Sequence, residues 1–436
     1  MSENRQAPNL LVRQPAFIRL INLQAGEGIP VCWSFAYFFC LLSSYYLIRP
    51  VRDEMGIIGG VDNLQWLFTA TFLVMLAIVP LFGAASTRYP RQRLLPGVYL
   101  FFIFNLLVFY LVLHMADGSR WLARVFFVWV SVFNLFVVSV FWSFMADLFS
   151  NAQGKRLFGL IAAGGSLGAI TGPALTAGLA TSLGNANLLL VSAGLLGAAL
   201  ICILQLLRYG HAHAVPGSEA ALGGGMLSGV KKTLGSRYLL GIALFVWLYT
   251  TLSTFLYFEQ AHIVKAAFAD SAERTRVFAL IDLAVNSLTI LLQVLVTGHV
   301  MRRLGVATAL ATIPALLACG FMTLAIAPLL PVLILTQVVR RAGNYALTKP
   351  AREVLFTVVD RESKYKAKNF IDTLVYRGGD ALSGWLFAGL KGLGLGLSGI
   401  AWIAVPVALS WMTVGILLGK AQRKKALLGE KDAQTV

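Results

Sequence analysis

A hydrocarbon core about 30 Å thick is crossed by roughly 20 apolar residues in helical form. This chain carries twelve such stretches, near 30–48, 64–85, 94–114, 122–146, 157–181, 187–208, 238–260, 277–298, 305–326, 328–348, 370–390 and 399–419. A soluble domain leaves too much surface wet to hide them: 58% of the 436 residues are hydrophobic, 13% are charged, and the mean hydropathy is +0.76. The expected fold class is therefore an all-α membrane protein with twelve transmembrane helices, because a backbone facing lipid must satisfy its own hydrogen bonds. The first 29 residues are polar, with Arg5, Arg13 and Arg19 and no small-residue cleavage pattern, so a cleaved signal peptide is not expected.

Lysines and arginines number 36 against 19 acids, a net charge of +17. Nucleic acid would be one partner for such an excess, but its distribution points to a bilayer. With a cytoplasmic N-terminus, most basic residues fall on one side: the N-tail, Arg88, Arg91 and Arg93, Lys155 and Arg156, the central linker, the loop expected from Lys349 to Lys368, and the C-tail. That asymmetry places both termini in the cytoplasm and the chain in the cell (inner) membrane, with no nucleic-acid partner. Cys32, Cys40, Cys202 and Cys319 all fall in predicted helices, without a CxxC or a neighbouring histidine. Neither they nor His211 and His213 make a metal site, and no metal or cofactor is expected.

The only long polar interruption without a span runs from Tyr209 to Arg237 and contains Gly223, Gly224 and Gly225. Read as a flexible cytoplasmic linker, it divides a six-helix half at 1–208 from one at 238–436. The halves repeat faintly: Gly164-Gly165-Ser166 aligns with Gly378-Gly379-Asp380, and Gly83 and Arg88 align with Gly298 and Arg303. Weak symmetry between six-helix halves marks transporters that rock one half against the other around a central site. In topology the chain resembles the major facilitator superfamily, and a monomer is expected.

A charge at mid-helix costs about 2.5–3.5 kcal/mol on insertion scales, so charged side chains inside spans face a cavity or a partner. Gln337, Arg340, Asn344 and Thr348 recur every three or four residues on one face of the tenth span, with Arg341 beside Arg340. Asp282, Asn286 and Gln293 do the same on the eighth, and Asp372, Tyr376, Asp380 and Ser383 on the eleventh. The seventh carries Thr250, Thr254, Tyr257 and Glu259. Thr250 and Asn286 read as interhelical hydrogen bonds, whereas two adjacent guanidiniums in an apolar span read as a ligand site. At the end of the first span the spacing of Arg49, Arg52 and Asp53 predicts an Arg49–Asp53 pair, with Arg52 left as a free cation; interfacial snorkelling of both arginines is the alternative. Gly164, Gly168 and Gly172 form GxxxGxxxG, a surface for close helix approach.

One segment carries a family likeness. Thr348-Lys349, Arg352-Glu353, the run Asp360-Arg-Glu362-Ser-Lys364-Tyr-Lys366-Ala-Lys368, then Ile371-Asp372 and Arg377 resemble the stretch around helices ten and eleven of the ATP/ADP translocase family. Arg49-Pro-Val-Arg52-Asp53 is similar to that family's first-helix R-x-x-K-D, with Arg52 in the lysine's place. Trp142-Ser-Phe followed by Lys155-Arg156-Leu-Phe158 is similar to its pattern around helices four and five. The resemblance implies a facilitator-like fold and exchange or uptake of nucleoside di- or triphosphates. Arg49, Arg52, Lys155, Arg156, Arg340, Arg341, Asn344, Lys349, Lys366, Lys368 and Arg377 would meet the substrate, while Asp53, Glu259, Asp282, Asp372 and Asp380 would serve as ion-pair or coupling residues.

The chemistry agrees with an anion. Only a cavity with several fixed cations replaces the water of a polyphosphate, and arginine forks match phosphate oxygens bidentately. Acids such as Asp282, Asp372 and Asp380 would hold the arginines when the site is empty. Two other classes stay open: a proton-coupled exporter of an organic compound, with Asp282 and Glu259 as proton sites, and a non-transporting membrane sensor or scaffold. No Ser/His/Asp, metal-ligand or paired-carboxylate constellation stands outside the spans, so catalysis is not expected.

Overall fold

A computed structural model describes residues 23–24, 26–88, 91–115, 118–212 and 226–434. Arg5, Arg13 and Arg19 of the N-tail lie outside the described residues, as do His213, Gly223, Gly224, Gly225 and the side chain of His211 in the linker. The helices are α1 (Gly28–Ile58), α2 (Leu64–Arg88), α3 (Arg91–Met115), α4 (Arg120–Leu148), α5 (Asn151–Ala212), α6 (Met226–Leu234) and α7 (Arg237–Ala267). They continue as α8 (Ser271–Leu292), α9 (Gly305–Ile326), α10 (Leu330–Gly343), α11 (Lys349–Leu355), α12 (Arg361–Phe370), α13 (Tyr376–Gly392) and α14 (Leu397–Gln434).

Nine helices among the described residues are long and apolar enough to cross a membrane. One of them, α5, holds the fifth and sixth predicted spans. They are separated at Gly184, whose φ of 77° and ψ of 163° suit a residue without Cβ. The tenth and eleventh predicted spans are subdivided. A π-helical turn, Asn344–Thr348, joins α10 to α11, and another, Ile371–Val375, joins α12 to α13. Such turns concentrate at functional sites, and both stand next to the arginines of the candidate site.

Two expectations are corrected. The basic segment between the tenth and eleventh spans is no loop: α11 and α12 fill it, and Asp360 starts α12 by accepting the Ser363 N–H at 2.9 Å. The linker is not coil throughout, because α6 packs against α12.

Apolar side chains gather into two cores, one within residues 31–206 and the other mostly within 239–418. In the first, α1 and α5 pack backbone to backbone. A Cβ added at Gly164 or Gly168 would stand 2.5 Å from the carbonyl oxygen of Phe35 or Phe39, and one at Gly172 would stand 2.6 Å from that of Ser43. Polar links reinforce this seam: Ser44 Oγ meets Ser192 Oγ at 2.7 Å, and Thr176 Oγ1 donates to the Leu47 carbonyl at 2.8 Å. The halves meet mainly where α5 and α1 face α8 and where α2 faces α13.

Candidate functional site

Five arginines converge on one cavity of about 370 Å³ between the halves: Arg49 and Arg52 from α1, Arg340 and Arg341 from α10, and Arg377 from α13, with Asp380 beside it. A second cavity of about 370 Å³ shares Tyr249, Tyr345, Tyr376 and Arg377 with the first and extends past Asn344 and Lys349 to Arg352 and Asp372. Residues far apart in sequence are thus brought together from both halves.

The pairing differs from the helical-spacing expectation. Arg52, not Arg49, closes on Asp53, donating to Oδ1 through Nε at 3.0 Å and Nη2 at 2.6 Å; the Tyr257 hydroxyl donates to the same oxygen at 3.0 Å. Arg49 instead turns across the interface to Asp282 of α8, 3.5 Å away, where Arg341 also lies at 2.6 Å. Asp282 is 1% exposed, so its buried charge demands cationic partners, and it draws Arg49 away from its own helix. Three buried polar atoms of this bridge have no hydrogen-bond partner: Arg49 Nε, Arg341 Nη2 and Asp282 Oδ2. Buried donors left unmatched are costly, and an anionic oxygen would satisfy two of them.

Arg340 is held differently from its neighbour. Its Nε and Nη2 donate to Gln337 Oε1 at 2.9 and 2.7 Å, and its Nη1 donates to Ser253 Oγ at 2.6 Å and to the Tyr249 hydroxyl at 3.4 Å. Gln337 is itself anchored by Gln260. These partners are all neutral, so Arg340 keeps its full charge for a ligand. Arg377 stands 3.9 Å from Asp380, which also accepts from Thr254 Oγ1 at 3.4 Å. Arg49 lies over the ring of Tyr46 and Arg377 over that of Tyr376, each at 5.7 Å, which orients guanidiniums without neutralising them. Around the cavity, five guanidiniums therefore face three carboxylates, those of Asp53, Asp282 and Asp380.

The other candidates lie elsewhere. Asn344 and Lys349 line the second cavity, and Asp372 there pairs with Arg352 at 3.0 Å. Lys366 and Lys368 sit on α12, lining neither cavity, and Lys368 pairs with Glu353. The structure does not bring Lys155 and Arg156 to the cavity. Both lie at the start of α5, and Arg156 donates to Glu27 at 2.7 and 3.1 Å. That guanidinium holds the Glu27 carboxyl down to about 2. Glu259 is 1% exposed, lines neither cavity and has no hydrogen-bond partner at Oε1. Asn286 makes its interhelical bond, Nδ2 to the Ala169 carbonyl at 2.6 Å, whereas Thr250 bonds within its own helix to Trp247.

Sequence reasoning missed a set of polar contacts that link helices of the two halves. Glu54 accepts from Arg274 at 2.8 and 2.7 Å and from Ser271 at 2.9 Å, tying α1 to α8. Lys391 donates to Asp62 at 2.5 Å and approaches His262 Nε2 at 2.7 Å, and Trp385 Nε1 donates to Thr69 at 3.0 Å. These contacts lie at the helix ends remote from the linker. Each charge sits at a helix terminus and looks ordinary in sequence; only the fold sets them opposite one another.

A family model described as Major Facilitator Superfamily matches residues 33–351. A triacylglyceride transporter of Mycobacterium tuberculosis and a probable triacylglyceride transporter of Mycobacterium bovis are each 27% identical over 156 residues. The match spans 35% of this chain and 30% of each relative. Among solved structures, a bacterial homologue of the iron transporter ferroportin in an inward-facing state superposes with a TM-score of 0.67 at 13% identity, covering 91% of this chain and 100% of that one. The nucleoside transporter NupG superposes with a TM-score of 0.61 at 14% identity, with the same coverages. At such identities the likeness shows the fold alone.

Proposed function

We propose that the chain, which belongs to the Major Facilitator Superfamily, is a secondary transporter whose cargo is an anionic phosphorylated metabolite, a nucleotide exchanged or taken up by alternating access. The observation that carries this reading is the charge around the central cavity, where five guanidiniums from both halves face three carboxylates. Such an excess, desolvated by the bundle, favours a multivalent anion over a neutral or cationic compound. Arg340, with neutral partners, and the unmatched donors of Arg49 and Arg341 would take the phosphate oxygens. Asp282 would hold Arg49 and Arg341 until the substrate displaces it, releasing a bridge between the halves. The sequence likeness to the ATP/ADP translocase family points the same way.

Further parts of the proposal are a monomer in the cell (inner) membrane, with termini and linker in the cytoplasm. In that orientation the contacts at Glu54 and Asp62 would lie at the outer end of the bundle. In a cysteine-free background, a membrane-impermeant thiol reagent added outside intact cells should reach Leu393→Cys, between α13 and α14, and miss Thr357→Cys, between α11 and α12. Reversed labelling would overturn the orientation. The cargo is tested in proteoliposomes loaded with ADP: labelled ATP should enter, excess nucleoside should not compete, and a neutral lipid should not be moved. Transport of nucleoside or lipid with no nucleotide flux would contradict it.

A further inference from the structure

On the outer flank of the N-terminal half, a slot of about 1170 Å³ opens between α2, α3 and α4. Although α2 and α3 are consecutive, they share little contact; α2 packs on α4 and α13, and α3 packs mainly on α5. The slot's walls are apolar, formed by Ala70, Val74 and Ile78 of α2, Gly97 of α3, and Val128 and Val132 of α4. Measured along α2 from Trp66 to Ile78 it runs about 18 Å at 1.5 Å per residue, longer than one leaflet of a core about 30 Å thick. A void of that size would forfeit dispersion contacts along its whole lining, and within a bilayer the matching filler is an acyl chain.

The two ends differ in charge. At the far end Arg124 is already engaged, donating from Nε to the Gly59 carbonyl at 2.9 Å and lying over the Trp121 ring at 4.9 Å. At the linker end Arg93 lines the mouth and is exposed, with Arg88 of α2 exposed nearby in sequence. Anionic headgroups gather at such juxtamembrane basic residues. A neutral triacyl lipid would leave that guanidinium without a counter-charge.

We propose that this slot binds a membrane phospholipid with an anionic headgroup, its phosphate at Arg93 and an acyl chain running along α2 and α4 toward Trp121. Gly97 provides the test, since it lines the slot and a Cβ added there meets nothing within 4 Å. The full chain, purified in detergent, is titrated with phosphatidylglycerol, phosphatidylcholine and triacylglycerol and read by native mass spectrometry. The parent should hold one phosphatidylglycerol about tenfold more tightly than phosphatidylcholine, the effect of one charge-assisted contact. Gly97→Trp should lose that bound lipid while keeping the parent's melting temperature. Gly97→Leu serves the same purpose should the tryptophan variant fail to fold. Arg93→Gln should bring the two phospholipids to equal affinity. Unchanged phosphatidylglycerol binding in a folded Gly97 variant would overturn the site, and triacylglycerol binding as tightly as phosphatidylglycerol would overturn the headgroup assignment.

Discussion

Arg340→Ala is expected to weaken nucleotide binding by about 30-fold or more while leaving the fold as stable as the parent. A charge-assisted hydrogen bond lost from a desolvated site costs about 2 kcal/mol or more. Arg340's own partners are neutral: Ser253 and Tyr249 line the cavity, and Gln337 keeps its bond to Gln260 once the guanidinium is gone. Arg341→Ala should lose binding to a similar degree and also lose stability, because Asp282 would then keep only Arg49 at 3.5 Å inside the bundle. Breaking a buried pair from one side costs about 3–5 kcal/mol. Adding Asp282→Asn to Arg341→Ala should restore the melting temperature without restoring affinity. Binding curves and thermal unfolding on the three variants decide it, and parent-like affinity in Arg340→Ala would make the α10 arginines structural.

Gly168→Val should abolish the folded N-terminal half. Its Cβ would stand 2.5 Å from the Phe39 carbonyl oxygen and 2.9 Å from the Ser43 nitrogen, both backbone atoms of a helix held against α5 along its length. Overpacking typically costs about 1–3 kcal/mol when side chains can shift, and here the backbone itself must move. Gly159→Ala, on the same helix where an added Cβ meets nothing within 4 Å, is the control and should express and melt like the parent. Yield of monodisperse protein and the unfolding midpoint are the measurements. A Gly168→Val variant that behaves like Gly159→Ala would show that α1 and α5 are not locked as described.

Much of this was legible in the sequence because a membrane makes composition informative. A run of about 20 apolar residues has few alternatives to a spanning helix, and an arginine inside one needs a cavity or a partner; Arg340, Arg341 and Arg377 were recognisable on that ground. Asp282, Asp372 and Asp380 were recognisable as acids for the arginines, but which arginine each would take was not legible. The i, i+4 rule proposed Arg49 with Asp53, but the competing acid, Asp282, lies in the other half of the chain, and only the tertiary fold puts it within 3.5 Å. The π turns at Asn344–Thr348 and Ile371–Val375 escaped for a related reason: a hydrogen-bond register that slips by one residue leaves composition and apolar period nearly unchanged. Arg156 matched a family pattern in type and spacing, yet its fork is occupied by Glu27 away from the cavity, so a motif residue carried a different local role.

The most direct test of an anion-binding cavity is a thermal-shift series on the purified full chain with one nucleoside and its mono-, di- and triphosphates. A ligand that binds only the folded state stabilises it by about 2.7 kcal/mol at a hundred times its dissociation constant. The nucleoside should therefore leave the melting temperature unchanged, and the phosphorylated forms should raise it in the parent and, at the same concentration, by about a third as much or less in Arg340→Ala. Equal stabilisation by the nucleoside, or a phosphate-dependent rise as large in Arg340→Ala as in the parent, would contradict recognition of phosphate by this arginine cluster.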